Sequence, residues 1–202
     1  MKRFYVTGRC IALAAVLSLM PATLAIAQLG DILLFPKTMV DRAIEARSMS
    51  DIAKDNGIVI KVNRAMAAHR TIKASTRIYE QRLLITGLFD DKETYDKFEK
   101  DVRAIPDVKM LYWHVIYMPK EEQARRKLLD WSDVIVLETK AEGRLIGTPG
   151  VADVNFRIAA DAFGTLYLMG RGRSKEELTK ARARARDGVN VKKLVEYTEL
   201  RP

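Results

Sequence analysis

Residues 83–117 can be laid without a gap on residues 166–200, at an offset of 83 residues. A chain made of two copies of one short unit has few folds open to it, because each copy must form the same elements in the same order. Leu83, Gly87, Lys92, Glu93, Val108, Lys109 and Leu111 are identical to Leu166, Gly170, Lys175, Glu176, Val191, Lys192 and Leu194, while Ile85 answers to Leu168. Their placement is the same in both copies: an apolar strand reaches a glycine, an amphipathic helix follows, and a second apolar strand opens at the valine. Upstream, Lys61 falls on Lys140 and Met66 on Leu145, at an offset of 79. The second copy has therefore gained a few residues, best placed at Gly147-Thr148-Pro149-Gly150, where Gly and Pro mark a loop that tolerates insertion. Each unit reads helix, strand, strand, helix, strand over about 60–70 residues.

In the first copy the pattern predicts a helix over 58–66 and a hairpin of strands 72–79 and 82–86 turning at Glu80-Gln81. Gly87 is expected to end the second of these strands, where the chain changes direction, since glycine alone accepts positive φ or a close backbone approach cheaply. A second helix opens at Asp90-Asp91, with Glu93 placed for a capping box with Asp90. Tyr95, Phe98 and Val102 form its buried stripe, and Pro106 stops it. In the second copy, 134–145 reads as a helix, although Val134-Ile135-Val136-Leu137 alone also fits a strand. Strands 153–159 and 165–169 turn at Phe163-Gly164. Ser174 with Glu177 forms a capping box ahead of the stripe Leu178, Ala181 and Ala185. The last strands differ. Residues 110–117 are apolar on both faces, so both sides are expected to be covered, the outer one by the other unit or by the segment preceding the repeats. Glu196, Thr198 and Glu199 interrupt 193–200, which predicts a sheet with one face in water.

The beginning has the form of an export signal over residues 1–27. Lys2, Arg3 and Arg9 are basic, 11–20 is apolar, and Ala25-Ile26-Ala27 makes a cleavage site, so the secreted chain starts near Gln28. A membrane anchor is the lesser reading, because Pro21 interrupts a run already short of the ~20 apolar residues that span a bilayer. Cys10 lacks a lipobox, since Arg9 precedes it and the apolar run follows it. Cleavage removes the single cysteine, and with it any disulfide, thiol nucleophile or cysteine-based metal site. What remains carries 32 basic and 26 acidic residues. Its size suits two small domains, 55–118 and 131–202, joined by a linker at 119–130. A lead-in arm, 28–54, precedes them; Ile32 to Phe35 is apolar and Pro36 ends that patch, and the rest fits either a short helix or a partly flexible connector.

The succession Leu83-x-Ile85-x-Gly87, amphipathic helix, Val108-Lys109-x-Leu111, repeated as Leu166-x-Leu168-x-Gly170 and Val191-Lys192-x-Leu194, resembles the BON domain. That family takes its name from bacterial osmotically induced periplasmic proteins and nodulation-related proteins. Two copies behind an export signal look like the dual-BON proteins of the Gram-negative envelope, and the resemblance covers residues 55–201. It implies an α+β fold of two tandem αββαβ domains, each a small mixed three-stranded sheet packed by two helices. It also implies a non-enzymatic role in envelope integrity, with the second domain binding anionic phospholipid at the outer membrane. Gly87 and Gly170 carry over as structural positions. Without a lipobox, any membrane residence must come from the folded surface.

Apart from the family, the strongest candidate contact surface is residues 120–140. Arg125, Arg126 and Lys127 form a basic cluster, followed by Leu128, Leu129 and Trp131 and then by Lys140. Cations beside an exposed indole suit an anionic bilayer surface, each contributing about 1 kcal/mol. The competing reading is a solvated linker helix, its charge offset by Glu121, Glu122 and Asp130, with Trp131 packed between the domains. Enzymatic chemistry is not expected. His69 and His114 stand in no metal or triad spacing, Asp90-Asp91 serve as helix caps, and Gly170-Arg171-Gly172 lacks the context of a phosphate loop. No cofactor or metal is implied. The sequence pI of about 9.6 would suit nucleic acid, but export and the scatter of Arg182, Arg184 and Arg186 around a helix argue against it. The expected function is thus association with anionic phospholipid surfaces. The alternative is a protein-interaction adaptor that docks on an envelope complex through 110–117 and the basic last helix.

Overall fold

The computed structural model describes residues 44–71 and 73–201. The export signal, most of the lead-in arm and Ile72 lie outside them. Ser48 Oγ accepts the Asp51 N–H at 3.0 Å and starts helix α1, Met49–Ala68. The helix thus begins well before residue 58 and takes in the end of the expected arm, because Ser48 supplies a cap and Ile52 and Asp55 continue the buried face of Ile58, Val59, Val62 and Ala65.

Strands β1 (Ala74–Tyr79) and β2 (Arg82–Phe89) form the antiparallel hairpin, turning at Glu80 and Gln81 with φ of 52° and 62°. Positive φ at both positions is the type I′ turn, which matches strand twist but normally takes Asn and Gly. Each non-glycine residue held there costs about 1–2 kcal/mol. The compensation comes from α1. Asp55, fully buried, accepts the backbone N–H groups of Glu80 (3.0 Å) and Gln81 (2.7 Å), the Gln81 side-chain amide (2.9 Å) and an Arg47 guanidinium N–H (2.9 Å).

Helix α2 (Lys92–Arg103) is capped by Asp91, which accepts the Thr94 N–H at 2.7 Å. The expected box of Asp90 with Glu93 is therefore displaced by one residue, and Asp90 instead receives Lys73 Nζ at 2.9 Å. Phe98 and Val102 are buried as their spacing predicts, and the chain returns as β3 (Met110–Tyr117), parallel to β2. A short helix, α3 (Lys120–Arg125), leads to α4 (Trp131–Ile146). The second set then follows as β4 (Phe156–Ala160), β5 (Thr165–Gly172), α5 (Lys175–Arg186) and β6 (Lys193–Leu200). A 3-10 turn, Asp153–Asn155, occupies the start of the expected strand 153–159. Ser174 caps α5 as its spacing predicts, and the Glu177 carboxylate reaches back to the N–H groups of Arg173 (2.7 Å) and Ala152 (2.8 Å).

The protein is α+β, with five α-helices among the described residues and two small mixed sheets ordered β1-β2-β3 and β4-β5-β6. Gly87 and Gly170 do not end their strands, since β2 continues to Phe89 and β5 to Gly172, but each is the last residue paired within its hairpin, Gly87 with Ala74 and Gly170 with Phe156. Their role is close approach. A Cβ on Gly87 would lie 2.5 Å from the Lys73 carbonyl oxygen, and one on Gly170, where φ is +141°, 2.1 Å from that of Asn155. Gly170→Ala is expected to destabilise by about 2–4 kcal/mol and Gly87→Ala by about 1–3, the difference reflecting backbone strain added to the clash. Urea unfolding checks this as a lowered midpoint at constant m.

Each sheet packs its helices on one face. Ile58, Val62, Phe98 and Val102 meet Ile78, Leu83 and Ile85 in the first core; Val134, Leu137, Leu178 and Ala181 meet Ile158, Leu166 and Leu168 in the second. The other faces cover one another: Tyr79, Leu84, Ala159, Tyr167 and Met169 form a third cluster flanked by Tyr112, Val195 and Tyr197. The outer side of the first sheet is thus covered by the second sheet. The expectation of a water-facing second sheet is overturned. Val195 and Tyr197 turn inward, while Glu196, on the opposite side of β6 by strand alternation, pairs with Arg182 (2.6 Å) and Arg186 (3.8 Å) of α5. Only the middle of β3 is covered, because Met110, Ile116 and Tyr117 remain exposed.

Polar contacts tie the sheets together, among them Arg82 on β2, which donates to the Tyr197 and Gly170 carbonyls and to Glu199, and a buried cluster beside α4. Arg77 on β1 donates Nε–H to the Ile158 carbonyl on β4 (2.6 Å) and Nη2–H to Glu138 (3.0 Å) and Glu142 (3.2 Å) on α4. Glu138 also accepts the Ala160 N–H (2.7 Å) and the Ser75 hydroxyl (3.1 Å). Burial pushes the Glu138 carboxyl up in pKa, against the opposing pull of Arg77 and of these donors. On the far side, Tyr112 stacks on Tyr197 at 3.8 Å, and His114 lies 4.3 Å from the Tyr167 ring with Nε2 2.7 Å from Tyr197 Oη.

Burial holds the His114 imidazole below its ordinary pKa; Asp161 pulls it up and Lys193 pushes it further down. The unfolded chain therefore binds the proton more readily than the folded one. The stability tied to neutral His114 is complete above about pH 6.5 and is lost as pH falls from there through the lowered folded value. A His114→Gln chain is expected to show a shallower loss of stability than the parent between about pH 7 and 5, measured by denaturant titration at each pH.

Candidate functional site

The junction between the two halves is built by α3, the turn after it and the start of α4. Lys127 adopts φ of 50°, which reverses the chain after α3. Leu129 N–H then donates to the Ala162 carbonyl at 3.0 Å, fastening the linker to the β4–β5 turn. Asp130 caps α4 by accepting the Asp133 N–H at 2.8 Å, so Trp131 becomes the first helical residue. Beside it lies a cleft of about 200 Å³, lined from the first half by Lys73 and Leu88, from α3 by Gln123, and from the second half by Trp131, Ala160 and Asp161.

The predicted contact residues separate here. Arg125 and Lys127 are exposed on the linker and Lys140 is exposed on α4. Arg126 is exposed but held by Glu122 at 2.5 Å, one turn earlier on α3. Leu128 and Trp131 do not face solvent as an interfacial pair. Both are half-buried against the second core, together with Leu129, and the Trp131 Nε1–H is buried without an acceptor among the described residues. The cause is the Leu129–Ala162 hydrogen bond with the Asp130 cap, which together roll the apolar side of the linker onto Val134 and Ala162. Of the two readings of this segment, the packed tryptophan is the one seen, although Arg125 and Lys127 remain outside.

Sequence reasoning missed the outward side of α4. Val136 is 47% exposed and Ile146 54%; Lys140, also exposed, lies one turn after Val136, while Ile146 ends the helix about 80° round from Val136. Leu137, Ala141 and Leu145 occupy the buried side. The run of four apolar residues at 134–137 conceals this division, because a helix of that composition has no visible phase until its partner is placed. No group of three or more His, Cys, Asp or Glu side chains that could hold a metal is found among the described residues.

No family model matches the chain, and no curated protein matches it closely enough to count as a relative. Among solved structures it is similar to CdsD, a structural protein of the type III secretion system of Chlamydia trachomatis, at 11% identity and a TM-score of 0.30, covering 72% of this chain and 93% of that one. A second structure, of the C-terminal domain of CdsD, matches at the same identity and TM-score, covering 72% of this chain and 98% of that one.

Proposed function

We propose that this chain is a tandem BON-like, non-enzymatic protein of the Gram-negative envelope, exported to the periplasm, that binds anionic phospholipid surfaces peripherally and supports outer-membrane integrity. The observation that carries the reading is the exposed face of α4. Val136 and Ile146 offer apolar contact, Lys140 lies one turn beyond Val136, and the linker that opens into this helix presents Arg125 and Lys127. Such a face lies on a bilayer rather than through it. Among the described residues no helix is long and apolar enough to cross a membrane. Three cations at about 1 kcal/mol each give weak, salt-sensitive attraction that partial burial of two aliphatic side chains reinforces.

Co-sedimentation of the chain from Gln28 onward with phosphatidylglycerol-containing or purely zwitterionic vesicles tests this. Binding is expected to the anionic vesicles alone and to weaken at physiological salt. Arg125→Ser, Lys127→Ser and Lys140→Ser together are expected to reduce partitioning about 100-fold. Val136→Ser with Ile146→Ser should lower it without changing its salt dependence. Equal binding to both vesicles, or none at low salt, would remove the proposal. Trp131→Ala is unsuited as a probe, since the residue belongs to the second core.

A further inference from the structure

Four strands stand at the margins of the two sheets: β1, β3, β4 and β6. A sheet margin presents unpaired backbone groups and invites another strand, so natural proteins blunt it with charge, proline, bulges or a cover. Three of the four are blunted here. On β4 the Ile158 carbonyl takes the Arg77 Nε–H and the Ala160 N–H is taken by Glu138. β1 lies against β4, and its Thr76 carbonyl receives Arg77 Nη1–H at 3.1 Å. On β6 the Tyr197 carbonyl accepts from Arg82 at 3.1 Å, and Lys193, Glu196 and Glu199 place charge along the strand.

Among the described residues β3 has none of these devices. It pairs with β2, and its eight residues include no Lys, Arg, Asp, Glu, Pro or Gly. The contrast lies within the repeat itself. Where β3 has Met110, Trp113 and Ile116, the equivalent positions of β6 are Lys193, Glu196 and Glu199. Met110 is 51% exposed, Ile116 38% and Tyr117 36%.

We propose that β3 pairs antiparallel with β3 of a second copy, joining two three-stranded sheets across a two-fold axis. The strand's own symmetry selects this occupant. Opposed residues of an antiparallel pair share a face, so the two-fold axis passes through one residue; with the axis at Trp113, the two exposed apolar side chains Met110 and Ile116 meet at both ends, Leu111 meets Val115 and Tyr112 meets His114, and no like charges meet along the strand. The nearest charged residues in sequence, Lys109 and Lys120, flank the strand and bring cation towards cation at its ends. Screening them strengthens the pair, the opposite of the salt dependence of anionic lipid binding.

Sedimentation velocity of the chain from Gln28 onward, without lipid, tests this over about 1 µM to 1 mM, where a contact as small as one strand pair dissociates. A monomer–dimer equilibrium that shifts towards dimer as salt rises is expected. Met110→Lys with Ile116→Lys, both at exposed positions, should leave a monomer with unchanged far-UV circular dichroism and unfolding midpoint. A parent chain that stays monomeric throughout overturns the proposal and leaves the margin to a strand of a different protein. A double variant that dimerises as well as the parent, a dimer that weakens with salt, or growth beyond the dimer overturns it too. None of these outcomes bears on vesicle binding.

Discussion

Asp55→Ala is expected to lower the unfolding free energy by about 3–5 kcal/mol, enough to consume a large part of the stability of a small protein. The carboxylate is fully buried and serves as acceptor to two backbone N–H groups, one side-chain amide and one guanidinium. Removing it leaves Arg47 without one of its buried counter-charges and strips the turn at Glu80 and Gln81 of the bonds that hold both at positive φ. Asp55→Asn should cost less, because its carbonyl oxygen still accepts from the turn while the charge is lost. Gln81→Gly in the Asp55→Ala background should return about 1–2 kcal/mol, since glycine adopts the turn conformation without help. Guanidinium unfolding of the four chains measures this; an Asp55→Ala chain within about 1 kcal/mol of the parent would show that the turn stands without its anchor.

Arg77→Ala is expected to cost about 3–5 kcal/mol for a different reason. Arg77 is 6% and Glu138 5% exposed, so deleting the cation strands a carboxylate in the seam between the sheets and leaves the Ile158 carbonyl unpaired. Replacing both, Arg77→Met with Glu138→Leu, removes the stranded charge and should be milder than Arg77→Ala alone. It does not reach the parent, because the Ala160 N–H and Ile158 C=O then lack acceptor and donor, each at about 1–3 kcal/mol. A double-mutant cycle by urea unfolding reads the coupling directly. Additive single and double variants would mean that the contact contributes no coupling, and the seam would then rest on its aromatic residues and the bonds of Arg82 to Tyr197, Gly170 and Glu199.

The repeat made much of the architecture legible before any coordinate. Apolar alternation located both hairpins, the Ser174 cap and the stripe of Leu178, Ala181 and Ala185 located α5, and Pro106 marked the end of α2. The glycines at 87 and 170 were rightly singled out for a close backbone approach, but the strands expected to stop at them run on. What stayed hidden was polar and buried. No spacing announces Asp55, Arg77 or Glu138, since their partners lie on other elements. The same limit explains Trp131. An indole beside three cations has the composition of an interfacial anchor, and only the linker's attachment to Ala162 turns it inward. Glu196 misled in the opposite direction, because its partners Arg182 and Arg186 belong to a helix whose register against β6 is a tertiary fact.

The back-to-back placement of the two sheets bears on how such a chain can change over generations. Residues shared by the copies, such as Leu83 with Leu166 and Gly87 with Gly170, serve each copy's own interior. The positions that meet across the seam are unlike at equivalent places: Leu84 answers to Tyr167, Tyr112 to Val195 and His114 to Tyr197. The two copies of the pattern thus differ along the surface where they touch, as two gloves cut for a left and a right hand. Neither half can now substitute for the other. Recombination that exchanged them, or that supplied one half alone to a new host sequence, would pair a face with a partner it no longer fits.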